Sequence, residues 1–123
     1  CMMVVLTNAP LDARQLERIA KRAMMGLAKT GGIASNGSGD YVIAGSTAES
    51  MRIPYQTRNT TDNGGVLRND EMSALFMATI EATEEAIINS LFAAQTMTGN
   101  GRTVESIPLN RVISILKSYG VIR

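Results

Sequence analysis

A chain of 123 residues is one domain or part of one, long enough to bury a modest core. Twelve basic and eleven acidic residues leave a formal net charge of +1, so there is no basic footprint for nucleic acid and no acidic tail; three Tyr, two Phe and no Trp leave little for base stacking. The chain has no histidine, which excludes Ser-His-Asp and Cys-His catalysis within it and most zinc and iron sites, and its single cysteine permits neither an internal disulfide nor a CxxC pair.

The first stretch, CMMVVLTNAP, opens on Cys1. Methionine excision, lipoprotein processing or cleavage inside a longer precursor would each leave a cysteine in first place. A lipidated cysteine normally leads into a polar tether, whereas Cys1 runs straight into an apolar segment. No apolar stretch reaches membrane-spanning length and no signal peptide is visible, with the cytoplasm the favoured compartment. Met2 to Thr7 is a partly β-branched apolar run without alternation, which suits a strand covered on both faces, and Asn8-Ala9-Pro10 ends it.

From Leu11 to about Lys29 the pattern is helical. Leu16, Ile19, Ala20, Ala23, Met24 and Leu27 share one face, and Arg14, Glu17, Arg18, Lys21 and Arg22 share the other. Asp12 suits the helix start, and Gly31-Gly32 suits its end. Ser35 to Asp40 is a dense cluster of turn residues before a second short strand, Tyr41 to Ala44. Ala48 to Asn69 is a long polar excursion with Pro54 and an Asn63-Gly64-Gly65 turn, of the kind that is functional or lies at an interface.

A second helix is predicted from Asp70 to about Thr96. Met72, Leu75, Phe76, Ile80, Ile87 and Leu91 form its buried stripe, and Thr83 lies on the stripe with a hydroxyl in reach of a carbonyl one turn back. Thr98-Gly99-Asn100-Gly101 then breaks the chain. Pro108 starts a last helix with Val112, Ile115 and Leu116 inward and Gly120 near its end. Two strands are too few for a stable sheet, while the helices are amphipathic and need one to cover. The remaining strands are therefore expected from another polypeptide.

Read alone, Cys1 is either a small buried hydrophobe at a strand end or a nucleophile with its own α-amine as base, a group of reference pKa about 7.7 to 8.0. The segment Asn36-Gly37-Ser38-Gly39-Asp40 is either a tight turn or a nest of backbone N–H groups with a hydroxyl and a carboxylate aimed at one point. It is not a phosphate loop, because no GK[ST] follows and no GxGxxG opens a helix. The eight methionines read as core filler.

Taken together, MMVVLTNAPLDARQLERIAKRAMMGLAKTG, NGSGDYVIAGST, NDEMSALFMATIEATEEAIINS and SLFAAQTMTGNGRTVESIPLNRVISILKSYG resemble one family. It is the DmpA-type aminopeptidases, the L-aminopeptidase D-esterase/amidase and β-peptidyl aminopeptidase group, and the resemblance spans nearly all of the chain except the 48–69 loop. It implies a self-cleaving precursor, with this chain as the C-terminal β product, not an independent domain without the α chain. It also implies an α/β fold, a four-layer α-β-β-α sandwich completed by that separate α chain, and several αβ pairs in a homo-oligomer. The implied activity is that of an N-terminal-nucleophile hydrolase releasing amino acyl groups from small peptides, amides or esters. No cofactor, metal, nucleic acid or membrane is implied.

Carried over by position, Ser38 and Asp40 match the family's second hydroxyl and acidic residue. The resemblance implies that Ser38 bonds the nucleophile's amine or the leaving group, and that Asp40, where the family often has Glu, orients Ser38 or holds a protonated amine. Asn36, Gly37 and Gly39 shape the turn or the substrate site. The family's β chain usually opens with Ser, and an ungapped match of VVLTNAP places Cys1 second; the spacing to NGSGD agrees. Either Cys1 is the nucleophile, or a serine or modified residue directly precedes it and Cys1 is a packing residue. The alternatives are an ornithine-acetyltransferase-like N-acyl transferase, whose β chain opens with Thr, and a nucleophile-less non-catalytic subunit.

Overall fold

The structure, a computed structural model, describes residues 1–53, 55 and 65–123. Pro54, Asn63 and Gly64, predicted features of the long excursion, lie outside the described residues. The chain forms two compact units, Cys1–Glu84 and Glu85–Arg123.

The first unit is built on β1 (Met2–Thr7), α1 (Ala13–Lys29) and β2 (Tyr41–Ser46). The two strands are parallel, in register from Met2 opposite Tyr41 to Thr7 opposite Ser46. A parallel pair needs a crossover, and α1 supplies it. The second strand runs two residues beyond its predicted end: Thr47 N–H donates to the Thr7 carbonyl (2.8 Å), and Ser46 Oγ donates to the Ala9 carbonyl (2.6 Å).

Helix α1 begins with a reciprocal cap. The Gln15 N–H donates to Asp12 Oδ1 (2.7 Å), and the Asp12 N–H donates to Gln15 Oε1 (3.1 Å). The Gln15 amide also donates through Nε2 to the Leu67 carbonyl (2.6 Å), so a polar side chain only 1% exposed has partners for its oxygen and nitrogen. The inward residues named from the sequence are all buried or half-buried, but the deepest ridge is Gln15, Ile19, Ala23 and Gly26. Gly31, at φ +95°, ends the helix where a side chain would be strained.

The core of this unit gathers Leu11, Ile19 and Met72, with Val5, Leu16, Ala44, Leu67, Leu75 and Phe76 packed around them. Leu67 returns the long excursion to the core, and its N–H donates to the Pro10 carbonyl (2.9 Å). The guanidinium carbons of Arg18 and Arg22 lie 4.9 and 4.0 Å from the centre of the Phe76 ring.

Strand alternation leaves one sheet face on α1 and the other open. Met3 is buried, whereas Met2, Val4, Leu6, Tyr41 and Ile43 are 58–68% exposed. The expectation of a strand covered on both faces is therefore corrected: within this chain β1 is covered on one. A single crossover helix covers only one side of a two-stranded sheet.

The second helix, α2, spans Met72–Ala93 after a 3₁₀ turn at Asn69–Glu71, starting later and ending earlier than predicted. Within the first unit α2 crosses α1 at Gly26. A methyl there would lie 2.7 Å from both the Ile80 carbonyl oxygen and Thr83 Cβ, so only glycine permits the approach. Thr79 makes the bond to the carbonyl one turn back, at Leu75 (2.7 Å), and Thr83 is buried against Gly26.

The second unit carries the end of α2, a hairpin of β3 (Met97–Gly99) and β4 (Arg102–Val104), and α3 (Leu109–Ser118). The hairpin was not predicted. Its Asn100-Gly101 turn has φ +48° and +71°, the left-handed pair that a two-residue type I′ turn requires. None of its described residues is buried, and Leu91 and Ile115, predicted inward, are 48% and 47% exposed. Their amphipathic spacing marks a face that wants cover, and the described residues of this unit do not supply it.

Candidate active site

Parallel pairing brings residues 39 residues apart in sequence to one place. Tyr41 N–H donates to the Cys1 carbonyl (3.0 Å), and the Cys1 amine donates to the Gly39 carbonyl (3.2 Å). These two bonds continue the β1–β2 ladder backwards and set Cys1 opposite Asp40. The amine also donates to Asp40 Oδ1 at 2.9 Å, a charge-assisted bond. Ser38 Oγ donates to the other carboxylate oxygen, Oδ2, at 2.5 Å. One carboxylate thus joins a hydroxyl to an amine.

The turn that delivers these groups is local. Ser38 N–H donates to the Ser35 carbonyl (2.8 Å), with Gly37 at φ +91°, the third position of a type II turn, and Asn36 beside it. Asn36 and Gly37 thus form a turn, and because the Ser38 N–H is engaged, it is not a donor of an open nest. Gly39 does more than shape the turn, since its carbonyl accepts from the amine. That role depends on strand register, which no spacing motif reports.

Asp40 is only 9% exposed at its side chain and has two donors on its carboxylate. Its carboxyl is held below the ordinary range, first by the Ser38 hydroxyl and then by the amine, against a smaller opposing effect of burial. Cys1 is exposed and its thiol is free. Alternation puts its side chain on the α1 side with Met3 and Val5. The structure brings Cys1, Ser38, Gly39 and Asp40 together, while Asn36 and Gly37 stand behind them in the turn.

A parallel β-α-β layer with such an arrangement at the head of its first strand belongs to a variant of the Ntn hydrolase fold. Over 96% of its length the chain superposes, with TM-score 0.83 and 32% identity, on 33% of the L-aminopeptidase D-Ala-esterase/amidase of Ochrobactrum anthropi, described as a prototype of the serine aminopeptidases and a new variant of that fold. A Pyrococcus horikoshii protein gives TM-score 0.82 at 45% identity, over 96% of this chain and 33% of that one. The chain belongs to Peptidase family S58, whose sequence model matches residues 1–104. It is 41% identical over 125 aligned positions, 96% of its length, to a β-peptidyl aminopeptidase of Sphingosinicella microcystinivorans, and it spans 30% of that relative's length.

Proposed function

We propose that this chain is the β chain of a self-processed N-terminal-nucleophile aminopeptidase/amidase, which releases N-terminal amino acyl groups from small peptides, amides or esters. The observation that carries the proposal is the convergence of an amine, Asp40 and Ser38 at the head of β1. The nucleophile's O–H or S–H adds to the substrate carbonyl, and the neighbouring amine, in its neutral form, takes the proton. The tetrahedral intermediate then expels the leaving amine, which carries that proton away. Water hydrolyses the remaining ester or thioester and restores the nucleophile. Asp40 fixes the amine, and the Ser38 hydrogen is committed to Asp40, which leaves the Ser38 oxygen able to accept a hydrogen bond.

Two readings of the nucleophile stand: Cys1 itself, or a serine or modified residue directly before it, which the family spacing supports. Such a serine would project on the open sheet face with Met2. The partner we propose is an α chain from the same precursor, with αβ pairs further assembled. Its support is the open apolar face of β1 and β2, the absence of buried residues among those described in the second unit, and relatives about three times as long.

The test is the intact mass and N-terminal sequence of the chains in purified full-length protein that hydrolyses an amino acyl p-nitroanilide. Two chains are expected, the shorter starting at Cys1 or at a residue directly before it. A start at Cys1 predicts loss of activity on thiol alkylation, and a preceding serine predicts resistance to it. Full activity in a single uncut chain would refute the N-terminal-nucleophile reading.

A further inference from the structure

We propose that a second copy of this chain docks along α1 and α2, with Arg18 and Arg22 of each copy meeting Glu81 of the other; this rests on the proposed further assembly of αβ pairs. The neighbouring cations have carboxylates. Lys21 lies 2.7 Å from Glu17, Lys29 pairs with Glu84, Arg14 lies 4.0 Å from Asp12, and Arg68 lies 3.5 Å from Asp70. Among the described residues Arg18 and Arg22 have none. Arg18 donates instead to Asn69 Oδ1 (3.1 Å), which also accepts from Arg14 (3.2 Å), and Arg22 donates to the Arg18 carbonyl (3.3 Å). Both guanidiniums also rest against the Phe76 ring. Neutral acceptors and a ring fix these groups in place without cancelling their charge. The result is a half-buried pair of like charges one helical turn apart, an arrangement that costs stability unless an anion faces it.

Glu81 carries the complementary charge. It is exposed and, among the described residues, has no cationic partner. It stands about half a turn from the buried Thr79 and Thr83, so it points away from the core. It is also the neighbour, one turn back, of Glu84, which pairs with Lys29, so Glu81 borders the flank of α2 that meets α1. Arg18 and Arg22 reach Phe76 across that same border. Two copies of α2 laid antiparallel and crossing beside Ala78 bring residue 81 of one level with residue 76 of the other. The two-fold axis of such a pair keeps the α1 flank on the same side of both helices. Each Glu81 then meets the other copy's arginines, and the contact closes on itself. Ala74, Ala78 and Ala82, exposed at the crossing, are small enough for the helix axes to approach closely.

The experiment measures assembly mass by light scattering, and dissociation on dilution, in purified full-length protein. One variant carries Glu81→Arg, a second carries Arg18→Glu with Arg22→Glu, and a third carries all three; the first two are also mixed in equal amounts. Each of the first two is expected to weaken association on the order of tenfold or more, because like charges then face each other, and to shift the mass toward half the wild-type value. The third variant and the mixture should both regain the wild-type mass, since in each of them every acid again faces a base. Glu81 is exposed, so its arm decides the question by itself should the arginine variant not fold. A wild type holding a single copy, an unchanged mass in Glu81→Arg, or a mixture that stays dissociated would each overturn the proposal. Loss of the α chain, rather than of a second copy, from Glu81→Arg would also overturn it and assign the surface to that chain. Hydrolysis measured alongside separates this from the proposed activity. An inactive protein that assembles and responds as expected refutes the activity alone, and an active one whose mass ignores the swaps refutes the interface alone.

Discussion

Ser38→Ala tests the site most directly. Ser38 is exposed, and its hydroxyl donates to Asp40 Oδ2 at 2.5 Å, while its main-chain N–H closes the turn onto Ser35. Alanine keeps the turn and the Gly37 conformation, so the expected change in stability is that of an ordinary surface substitution, within about 0.5 kcal/mol. What is lost is the restraint on the carboxylate. With Oδ2 free, Asp40 can rotate, and the amine keeps an unsupported Oδ1 and the Gly39 carbonyl at 3.2 Å. Positioned proton-handling groups contribute about 10²- to 10⁴-fold to rate, and a hydroxyl acting partly through a neighbouring carboxylate belongs at the lower end. We expect kcat to fall about 10²-fold, with KM within about threefold. The assay is steady-state hydrolysis by full-length protein, alongside a gel for self-cleavage and a thermal melt. If the variant fails to cleave itself, the two chains are expressed separately, so the mature site is measured. Near-wild-type turnover in a correctly cut, folded variant would remove Ser38 from the mechanism.

Asp40 has its pKa lowered in the folded state, so its contribution to stability is complete above the ordinary carboxylate range and is lost as pH falls through the lowered value. The stability difference between wild type and Asp40→Asn, measured by urea unfolding, should therefore be constant between about pH 5 and 7 and close as the solution is acidified; a difference that widens on acidification has the wrong sign. Gly26→Ala gains about 1 kcal/mol of helix propensity but sets a methyl 2.7 Å from the Ile80 carbonyl, and overpacking of that kind costs about 1–3 kcal/mol. A net loss of about 1 kcal/mol in urea unfolding is expected, unrelieved by Thr83→Ala because the Ile80 carbonyl is backbone. Gln15→Leu strands the Leu67 carbonyl and the Asp12 N–H, and should cost about 2–3 kcal/mol by the same measurement; an unchanged midpoint would mean the cap and the Leu67 contact carry no weight.

What could be read from residues alone follows a physical line. An unbroken apolar run identified β1, and apolar periodicity the inward face of α1, because both depend on local pattern. It passed over Gln15 and Gly26, the two deepest positions whose chemistry is not apolar: one is buried because its amide is bonded on both sides, the other because two helices meet there. The β3–β4 hairpin was missed although Asn100-Gly101 is a strong turn signal, since its three-residue strands are fully exposed and carry no apolar alternation. Leu91 and Ile115 show a further limit: amphipathic spacing names the face that wants cover, not the chain that provides it. At the candidate site, the NGSGD pattern and the family resemblance singled out Ser38 and Asp40, which the structure places in one hydrogen-bonded group. The Gly39 carbonyl, which accepts from the amine, was not legible, because a backbone oxygen has no side-chain signature.

The register of β1 on β2 is what brings the groups of the candidate site together. In a parallel pair both strands start at the same end of the sheet, so the head of β1 is set beside the loop that leads into β2, whatever lies between them in sequence. Met2 opposite Tyr41 puts residue 1 opposite Asp40, with the carboxylate toward the amine. A slip of one residue would turn every β2 side chain to the other face, sending Asp40 to the open side and Tyr41 toward α1. Val5 and Ala44 oppose that slip, because they pack with Ile19 and Leu16 of α1, and Met3 is buried on the same face of β1. The apolar pattern that makes the sheet adhere to its helix therefore also aims the carboxylate. Core substitutions that loosen the register should damage catalysis before they unfold the chain.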